Sequence, residues 1–263
     1  MSASRPLGDG TIAKALDVLD QVAEFERPVR FSELLAESPI PKATLYRLVQ
    51  TLTSQGMLQY NTDRQTYAPG MRLVRLAHSA WRQSSLAPIA RPYVTQLAEI
   101  AKETIHLAQM ENGQVLYVDK RNATELVEMF SQAGKVGPGY CTGVGKAIMA
   151  FLDPPARSWA IEQQAFFAHT PKTLTSAREL SDELNTIRAE GVAYDREEHE
   201  PGIICIAAPI LAEQRVLGGL SVTTTTARKS LKDLTQLKPD LIATAARIAE
   251  AAVTWQFPEP VKG

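Results

Sequence analysis

The sequence predicts an α+β fold, in which an N-terminal winged helix-turn-helix domain is joined by a linker helix to a larger α/β domain. Two observations lead to this prediction. Residues 1–70, the expected winged domain, contain three segments whose apolar residues have helical spacing, followed by a short hairpin pattern. After an expected linker at residues 71–85, helical and strand-like segments alternate through residues 86–263, which is typical of a mixed α/β domain.

The composition is that of a globular protein with a core of ordinary size. Of the 263 residues, 44% are hydrophobic. No apolar run approaches the roughly 18–20 residues that a membrane span needs, and the N-terminus lacks the apolar segment of a signal peptide. The two cysteines, Cys141 and Cys205, lie far apart, which argues against a disulfide framework and a structural zinc site. A cytoplasmic protein without a cofactor and without a membrane partner is therefore expected.

The N-terminal segment has the pattern of three helices. Apolar residues recur with helical spacing over residues 11–25, and Ser32 is the predicted N-cap of a short helix from Glu33 to Glu37. Pro41 begins a third helix, residues 41–55, because a proline costs little in the first turn of a helix. Gly56 is the predicted end of that helix.

Two strand-like segments follow the third helix. Met57–Tyr60 and Gln65–Ala68 flank the turn residues 61–64, which predicts a β-hairpin. Met71–Gln83 again shows helical spacing and is the predicted linker helix. Three helices followed by a hairpin are the parts of a winged helix-turn-helix, a DNA-binding unit.

The third helix has the two faces that a recognition helix needs. Its apolar residues share one face, while small polar and basic residues occupy the other, where they could contact bases and phosphates. The predicted DNA-binding residues are Lys42, Thr44, Tyr46, Arg47, Gln50 and Thr51 on this helix, and Arg64 and Gln65 at the hairpin tip. An amphipathic surface helix in an unrelated core would show the same periodicity. The hairpin after it and the two helices before it favour the DNA-binding interpretation.

The remaining residues predict a second domain of alternating elements. A capping-box pattern at Ser176–Glu179 marks the start of a helix that ends at Gly191. The other predicted helices are residues 86–102, 143–152 and 237–255, and the predicted strands are residues 104–110, 115–120, 126–132, 203–211 and 216–224.

Three sequence blocks resemble the IclR family of bacterial transcription regulators. Pro41–Leu48, PKATLYRL, resembles the entry to the family's recognition helix, and Thr142–Ala147, TGVGKA, resembles its effector-loop motif. The most specific block starts at Gly191, GVAYDREE, and continues to Cys205–Pro209, CIAAP. The resemblance extends over residues 11–255, with all blocks in family order.

This resemblance implies a ligand-responsive transcription regulator, expected to be a repressor of a catabolic operon. It implies a GAF-like effector-binding domain after the linker helix. Family members form homodimers or homotetramers on palindromic double-stranded operator DNA. The effector is expected to be a small organic acid, a carboxylate, or a related metabolite.

Carried over by position, the resemblance also implies an effector site. Its residues would be Cys141, Thr142, Gly143, Asp195, Cys205, Ser221 and Thr223. The chemistry is that of a carboxylate site, because a glycine-rich helix start offers backbone N–H groups and two residues spaced by two on a strand point their hydroxyls to one face.

Other interpretations of these residues remain open. Lys146 could be a solvent-exposed helix residue, Cys205 could belong to the core, and Asp195 could be a turn residue or an N-cap. Ser221 and Thr223 could likewise be ordinary strand residues. The chain also departs from the family pattern. Pro39 stands where a glycine is common, and Tyr140 and Cys141 replace small or His-Ala-type residues, so that Tyr140 could narrow the pocket or contact the ligand.

Two other functions compete with regulation. A metal-binding sensor would use Asp195, His199 and Cys205, although their spacing is irregular. An enzyme would use Cys205 or Cys141 as nucleophile, with His199 or His106 as base. Neither cysteine lies in a hydrolase motif, so no enzymatic activity is expected.

Overall fold

The computed structural model describes residues 10–122, 132–213 and 215–253, and the chain divides into two compact units between Ala80 and Trp81. This division falls inside the predicted linker, residues 71–85. The strand predicted at residues 126–132 lies almost wholly outside the described residues, as does Trp255, the predicted end of the last helix.

The first unit is a winged helix-turn-helix. Its elements are α1 (Thr11–Glu24), β1 (Val29–Arg30), α2 (Phe31–Glu37), α3 (Lys42–Ser54), β2 (Leu58–Asn61), β3 (Thr66–Pro69) and the first part of α4 (Met71–Ser84). The strands form an antiparallel sheet in the order β1-β3-β2. Val22, Leu34 and Val49, from the three helices, meet Leu58 and Tyr67 of the hairpin in one core. The predicted helices, hairpin and linker helix are present within one or two residues of their expected bounds.

The start of α2 differs from the prediction. Ser32 is not its N-cap, since the helix already begins at Phe31. The Arg30 backbone N–H donates to Glu33 Oε2 over 2.9 Å, so the Glu33 carboxylate satisfies the helix start instead. The two residues of β1, which pair with β3, were not predicted because so short a strand leaves no alternation to detect.

The turns of this unit depend on two glycines. Gly56, which follows α3, has φ +70°, a conformation that favours glycine. A Cβ on Gly70 would overlap the Gly56 carbonyl, because the two glycines pass each other closely where the hairpin closes. Pro39 is accommodated in the turn between α2 and α3, where the Ile40 N–H donates to Ser38 Oγ over 3.3 Å.

The second unit is built on one six-stranded antiparallel sheet. The elements are α5 (Ala87–Ala101), β4 (Thr104–Glu111), β5 (Gln114–Arg121), β6 (Val136–Pro138), α6 (Gly143–Phe151), α7 (Pro154–Glu162), α8 (Ala177–Glu190), β7 (Ala193–Arg196), β8 (Ile203–Ala212), β9 (Arg215–Thr225), α9 (Leu231–Gln236) and α10 (Lys238–Ala251). The strand order is β6-β5-β4-β9-β8-β7.

Helices cover both faces of this sheet. Alternate strand residues such as Leu107 and Ile206 pack with α5 and α10, while Ala108 and Ala207 pack with α6 and α8. A Cβ on Gly219 would lie 2.7 Å from Val144 Cγ2, so the absence of a side chain there lets α6 approach β9 closely. This close packing places the start of α6 over the centre of the sheet.

Four short elements were not predicted, namely β6, α7, β7 and α9. The helix expected over residues 237–255 begins at Lys238, and the separate helix α9 precedes it. Ser230 caps α9, since the Asp233 N–H donates to Ser230 Oγ over 3.3 Å. The capping box at Ser176 is confirmed by the Glu179 N–H, which donates to Ser176 Oγ over 3.2 Å. In the described ranges, every helix is too short or too polar to span a bilayer.

Candidate DNA-binding surface and effector cavity

The third helix presents a basic, polar face to solvent. Lys42, Tyr46 and Arg47 are exposed on α3, whereas Leu45 and Leu48 are buried beneath them. The helix carries two basic residues and no acidic one. Within the described part of the chain, the Lys42 and Arg47 side chains have neither a hydrogen bond nor an ion pair. Both cations are therefore available to neutralise phosphates or to contact guanine.

Other predicted DNA-binding residues already have partners in the protein. Gln50 Nε2 donates to the Tyr67 hydroxyl over 3.3 Å, which ties α3 to the hairpin. Thr51 Oγ1 donates to the Arg47 carbonyl over 2.9 Å. The Tyr46 ring packs edge-on against Phe31, with the centroids 5.6 Å apart. These side chains keep exposed surface for contact with DNA, but they also have contacts within the protein.

The hairpin tip is shaped by its own side chains. Arg64 and Gln65 are exposed in the turn, as predicted. The Arg64 N–H donates to Asn61 Oδ1 over 2.9 Å, and Gln65 has φ 54°. The turn thus presents the Arg64 side chain at the end of the hairpin. Thr44, the remaining predicted residue, is half-buried near the start of α3.

The second unit contains a cavity of about 40 Å³ between the sheet and the start of α6. Its walls come from five strands, from α6 and from the segment after β7. The lining residues are His106, Tyr117, Thr142, Gly143, Val144, Asp195, His199, Glu200, Ile203, Cys205, Ser221 and Thr223. Six of the seven predicted effector residues are among them. The seventh, Cys141, is buried in the neighbouring core and does not line the cavity.

Strand register explains how distant residues meet at the cavity. Cys205 of β8 lies opposite Thr223 of β9 and opposite Asp195 of β7. Three lining residues therefore lie side by side on adjacent strands. In the next row, His106 of β4 lies opposite Ser221 of β9. The cavity is therefore a product of the sheet order, which brings β4 beside β9.

Three side chains form a buried polar cluster at the centre. His106 Nδ1 lies 3.1 Å from Thr223 Oγ1 and 3.5 Å from Ser221 Oγ, and the two hydroxyl oxygens are 3.4 Å apart. Burial lowers the pKa of His106 to about 3, with the Lys120 charge acting in the same direction. The imidazole is therefore neutral at physiological pH and can both donate and accept.

The start of α6 forms the opposite wall. Thr142 is its N-cap residue, but its hydroxyl donates to the Pro138 carbonyl over 2.8 Å and does not cap the helix. The first N–H groups of a helix have no acceptor within it. A Cβ on Gly143 would overlap Cys205 Sγ, so glycine is needed for the helix start to approach β8. The wall therefore offers backbone donors at the positive end of a helix.

Asp195 is the acidic group of the cavity. Its side chain is buried, and Oδ1 accepts the Glu198 N–H over 2.8 Å. Asp195 is thus a residue of strand β7 whose side chain also stabilises the turn that follows the strand. Burial raises the pKa of Asp195 to about 7, and the Glu198 charge adds to this, while the Glu198 N–H and Lys146 oppose it. The carboxyl group thus changes protonation near neutral pH.

A buried ion pair supports two walls of the cavity. Lys146 of α6 is fully buried, and its Nζ donates to both carboxylate oxygens of Glu198 over 2.6 Å. Glu183 Oε1 lies 3.3 Å from the same Nζ and accepts from Arg196 over 2.8 Å. The alternative of a solvent-exposed Lys146 is therefore wrong. The pair ties α6 to the segment that carries the lining residues His199 and Glu200.

The sequence missed His106 and Tyr117 as cavity residues, although His106 was considered as a base. A polar residue between the apolar residues Ile105 and Leu107 of β4 was the available signal. Tyr140, which could have narrowed the pocket or contacted the ligand, instead donates to the Phe167 carbonyl over 2.6 Å and is not a lining residue.

The cysteines do not have the properties of nucleophiles. Burial raises the pKa of the Cys205 thiol to about 12, and burial also raises the pKa of Cys141. Among the residues that the structure describes, no group of three His, Cys, Asp or Glu side chains is arranged to hold a metal ion. The set Asp195, His199 and Cys205 is therefore not arranged as a metal site.

Comparisons with known proteins match both units. Residues 11–62 match the family described as IclR helix-turn-helix domain, and residues 78–250 match Bacterial transcriptional regulator IclR C-terminal. The chain is 29% identical over 244 residues to the HTH-type transcriptional regulator KdgR of Escherichia coli (strain K12), which covers 92% of each chain. It is 27% identical over 244 residues to the Acetate operon repressor of Salmonella typhimurium (strain LT2), covering 92% of this chain and 89% of that one.

A solved structure has the same fold. It is that of an IclR homolog complexed with 4-hydroxybenzoate from Microbacterium hydrocarbonoxydans, with a TM-score of 0.78 at 21% identity, covering 92% of this chain and 98% of that chain. The curated relatives are transcriptional regulators, which agrees with the expectation that the chain is not an enzyme. Since both family matches lie in the expected order and together span most of the sequence, the chain belongs to the IclR family of DNA-binding bacterial transcriptional regulators, which carry a ligand-binding C-terminal domain.

Proposed function

We propose that this protein is a cytoplasmic repressor of a catabolic operon, which binds a palindromic operator and responds to a small carboxylate in the cavity beside α6. The observation that carries the proposal is the cavity itself. Backbone donors of the α6 start face the hydroxyls of Ser221 and Thr223 and the neutral His106 across one buried space. These are groups that hold a carboxylate without a buried cation.

The size and charge of the cavity restrict its ligand. A volume of about 40 Å³ has room for roughly three waters at about 10–15 Å³ each, so any larger ligand must move the walls. A second negative charge next to Asp195 favours the protonated form of that carboxyl. The ligand is therefore a compact acid, and its binding is accompanied by proton uptake at Asp195. A hydroxyl or carbonyl group on the ligand could then bond to the Asp195 carboxyl.

Oligomerisation is supported by exposed apolar residues of the first unit. Ile12 and Leu16 are 79% and 53% exposed on one side of α1, four residues apart. On α4, Met71 and Val74 are 73% and 58% exposed. Apolar stripes on two helices fit contacts between copies of the chain, as a homodimer or homotetramer. A two-fold axis between two copies would match a palindromic site.

The DNA part of the proposal is tested with a fragment from upstream of the protein's own gene. We expect wild type to shift this fragment at about 50–100 mM salt, where phosphate contacts are strong. Arg47→Ala should weaken binding about 5- to 150-fold, since a good contact to guanine contributes about 1–3 kcal/mol. The charge-matched control is Arg178→Ala, because Arg178 is exposed on α8 of the other unit. Equal loss in both variants would contradict the assignment of α3.

The ligand part is tested by thermal shift with a panel of small organic acids, 4-hydroxybenzoate included, each paired with its neutral amide. A ligand that binds only the folded state raises the melting temperature. We expect at least one acid to stabilise the protein and its amide to have no effect. Stabilisation by amides but by none of their acids would refute the carboxylate assignment.

A further inference from the structure

Trp81, in the last turn of α4, contacts the sheet of the second unit. Trp81 Nε1 donates to the Val118 carbonyl of β5 over 3.2 Å, and the ring packs against the core on the α5 side of the sheet. Among the described side chains of α4, only Leu73 and Trp81 are partly buried, and Leu73 belongs to the core of the first unit. Trp81 therefore connects this helix to the core of the second unit.

Two charged residues hold the indole in place. The Arg91 guanidinium carbon lies 4.9 Å from the centre of the Trp81 ring, which is a cation–π distance. Arg91 Nε lies 3.4 Å from Asp119 Oδ2, and Asp119 is almost fully buried. Arg121 lies 3.6 Å from the other oxygen of the same carboxylate. Asp119 thus orients the cation that covers the tryptophan.

The acceptor of the indole bond lies at an irregularity of the sheet. Asp119 pairs with Leu107 and Tyr117 pairs with Ala108, so Val118 is an extra residue of β5 with no partner on β4. Such a bulge disrupts the ladder locally and changes the direction of the strand. The preceding residue, Tyr117, lines the cavity, and its ring lies 5.5 Å from that of His106.

The cavity wall and the anchor of the helix are therefore consecutive residues on opposite faces of one bulged strand. A ligand that displaces the backbone at Tyr117 also displaces Val118, because the two residues share a peptide bond. Val118 in turn carries the hydrogen bond that holds α4.

We propose that Trp81, Arg91 and Asp119 form a latch on the bulge of β5, through which the state of the cavity determines how α4 is held and hence how tightly the protein binds DNA. Trp81 is a positioning residue, since it contacts neither ligand nor DNA in this scheme. The inference rests on the proposed function, because it explains how the ligand would be coupled to DNA affinity. The coupling free energy cannot exceed the difference in ligand-binding free energy between the two states of the latch.

The anchoring itself is tested by hydrogen exchange on the full chain without DNA. Trp81→Phe keeps a ring and removes the indole donor. The Ser85 N–H, which donates to the Trp81 carbonyl over 3.2 Å, reports on the last turn of α4. We expect its exchange to accelerate about fivefold, as for the loss of one ordinary hydrogen bond. Unchanged exchange would overturn the latch whether or not the protein binds DNA.

The coupling is tested by a double-mutant cycle in affinity for the upstream DNA. Trp81→Phe and Arg91→Ala should each lower DNA affinity, about fivefold for the lost hydrogen bond of Trp81. Tyr117→Leu, or Tyr117→Phe where the larger change impairs folding, should alter DNA affinity in the wild-type chain and have no effect in the Trp81→Phe chain. Transmission through β5 would be refuted if the effects of the Tyr117 and Trp81 substitutions on DNA affinity were additive. It would also be refuted if the Tyr117 substitution had no effect in either chain.

A matched control separates this role from ordinary packing. Arg247 of α10 also stacks on an aromatic ring, 4.8 Å from the centre of Tyr93 of α5, and donates to Gln96 over 2.8 Å. Arg247→Ala should leave DNA affinity unchanged, whereas Arg91→Ala lowers it and Arg91→Lys restores part of it. If wild type itself fails to bind the upstream DNA, the proposed function fails, and the exchange measurement still decides whether the latch exists.

Discussion

Removal of the buried Lys146 charge is expected to destabilise the protein strongly. In Lys146→Met, the Glu198 carboxylate, whose side chain is only 4% exposed, loses a partner at 2.6 Å. Breaking a buried pair from one side costs about 3–5 kcal/mol, because the remaining charge has no compensation. For a unit of this size, that loss corresponds to a fall in melting temperature of roughly 6–20 °C.

The second member of the pair allows a sharper comparison. In Lys146→Met/Glu198→Gln neither charge of the pair remains, so the double variant should recover most of the about 3–5 kcal/mol that Lys146→Met loses. Thermal and urea unfolding followed by circular dichroism measure both free energies of unfolding.

The pH dependence of the single variant has a definite sign. Burial raises the pKa of Glu198 even with Lys146 present, and without Lys146 the rise is larger. The raised pKa means that the protonated form is favoured in the folded state, so the penalty is small below the unfolded pKa and grows as pH rises. Lys146→Met should therefore approach wild-type stability as pH falls towards 4. A deficit below about 1 kcal/mol at pH 7, or a deficit that increases in acid, would refute this explanation of the pair.

Three further results are expected. Gly143→Ala should cost about 1–3 kcal/mol, since its Cβ overlaps Cys205 Sγ, and Cys205→Ala in the same chain should recover part of that loss in a urea titration. Because the pKa of Asp195 is raised to about 7, the free energy of unfolding of wild type relative to Asp195→Asn should fall as pH rises from about 4 to 8; a flat difference would place Asp195 in a solvated environment. Ligand affinity, measured by calorimetry in two buffers of different ionisation enthalpy, should show proton uptake near pH 7 and decline above it, and proton release would contradict the proposed role of Asp195.

Local sequence patterns were sufficient to predict the winged unit. The periodicity of α3 and the turn residues before β3 are contained within short windows, and the structure has both elements close to the predicted bounds. The error at Ser32 arose because a carboxylate three residues after Arg30 can satisfy a helix start as well as a hydroxyl at the cap. Such competition between neighbouring side chains is not visible from residue types alone.

The cavity depends on contacts that periodicity does not encode. The spacing of Ser221 and Thr223 predicts a shared face, but which strand lies beside them follows from the sheet order, which places His106 of β4 next to β9. Cys205 and Asp195 were assigned through resemblance, and their opposition across β7 and β8 explains why both reach the cavity. Burial of Lys146 was not predicted, because charged residues are rarely buried without partners and its partner Glu198 lies 52 residues further along the chain.

We expect α3 to bind DNA while the cavity of the second unit binds the ligand. The most direct test compares Arg47→Ala and Ser221→Ala in two assays on the same preparations, namely fluorescence anisotropy with the upstream DNA and calorimetry with the stabilising acid. Arg47→Ala should lose DNA binding and keep the wild-type affinity for the acid, whereas Ser221→Ala should bind DNA normally and lose affinity for the acid. If either substitution lowered both affinities equally, the division of function between the two units would be wrong.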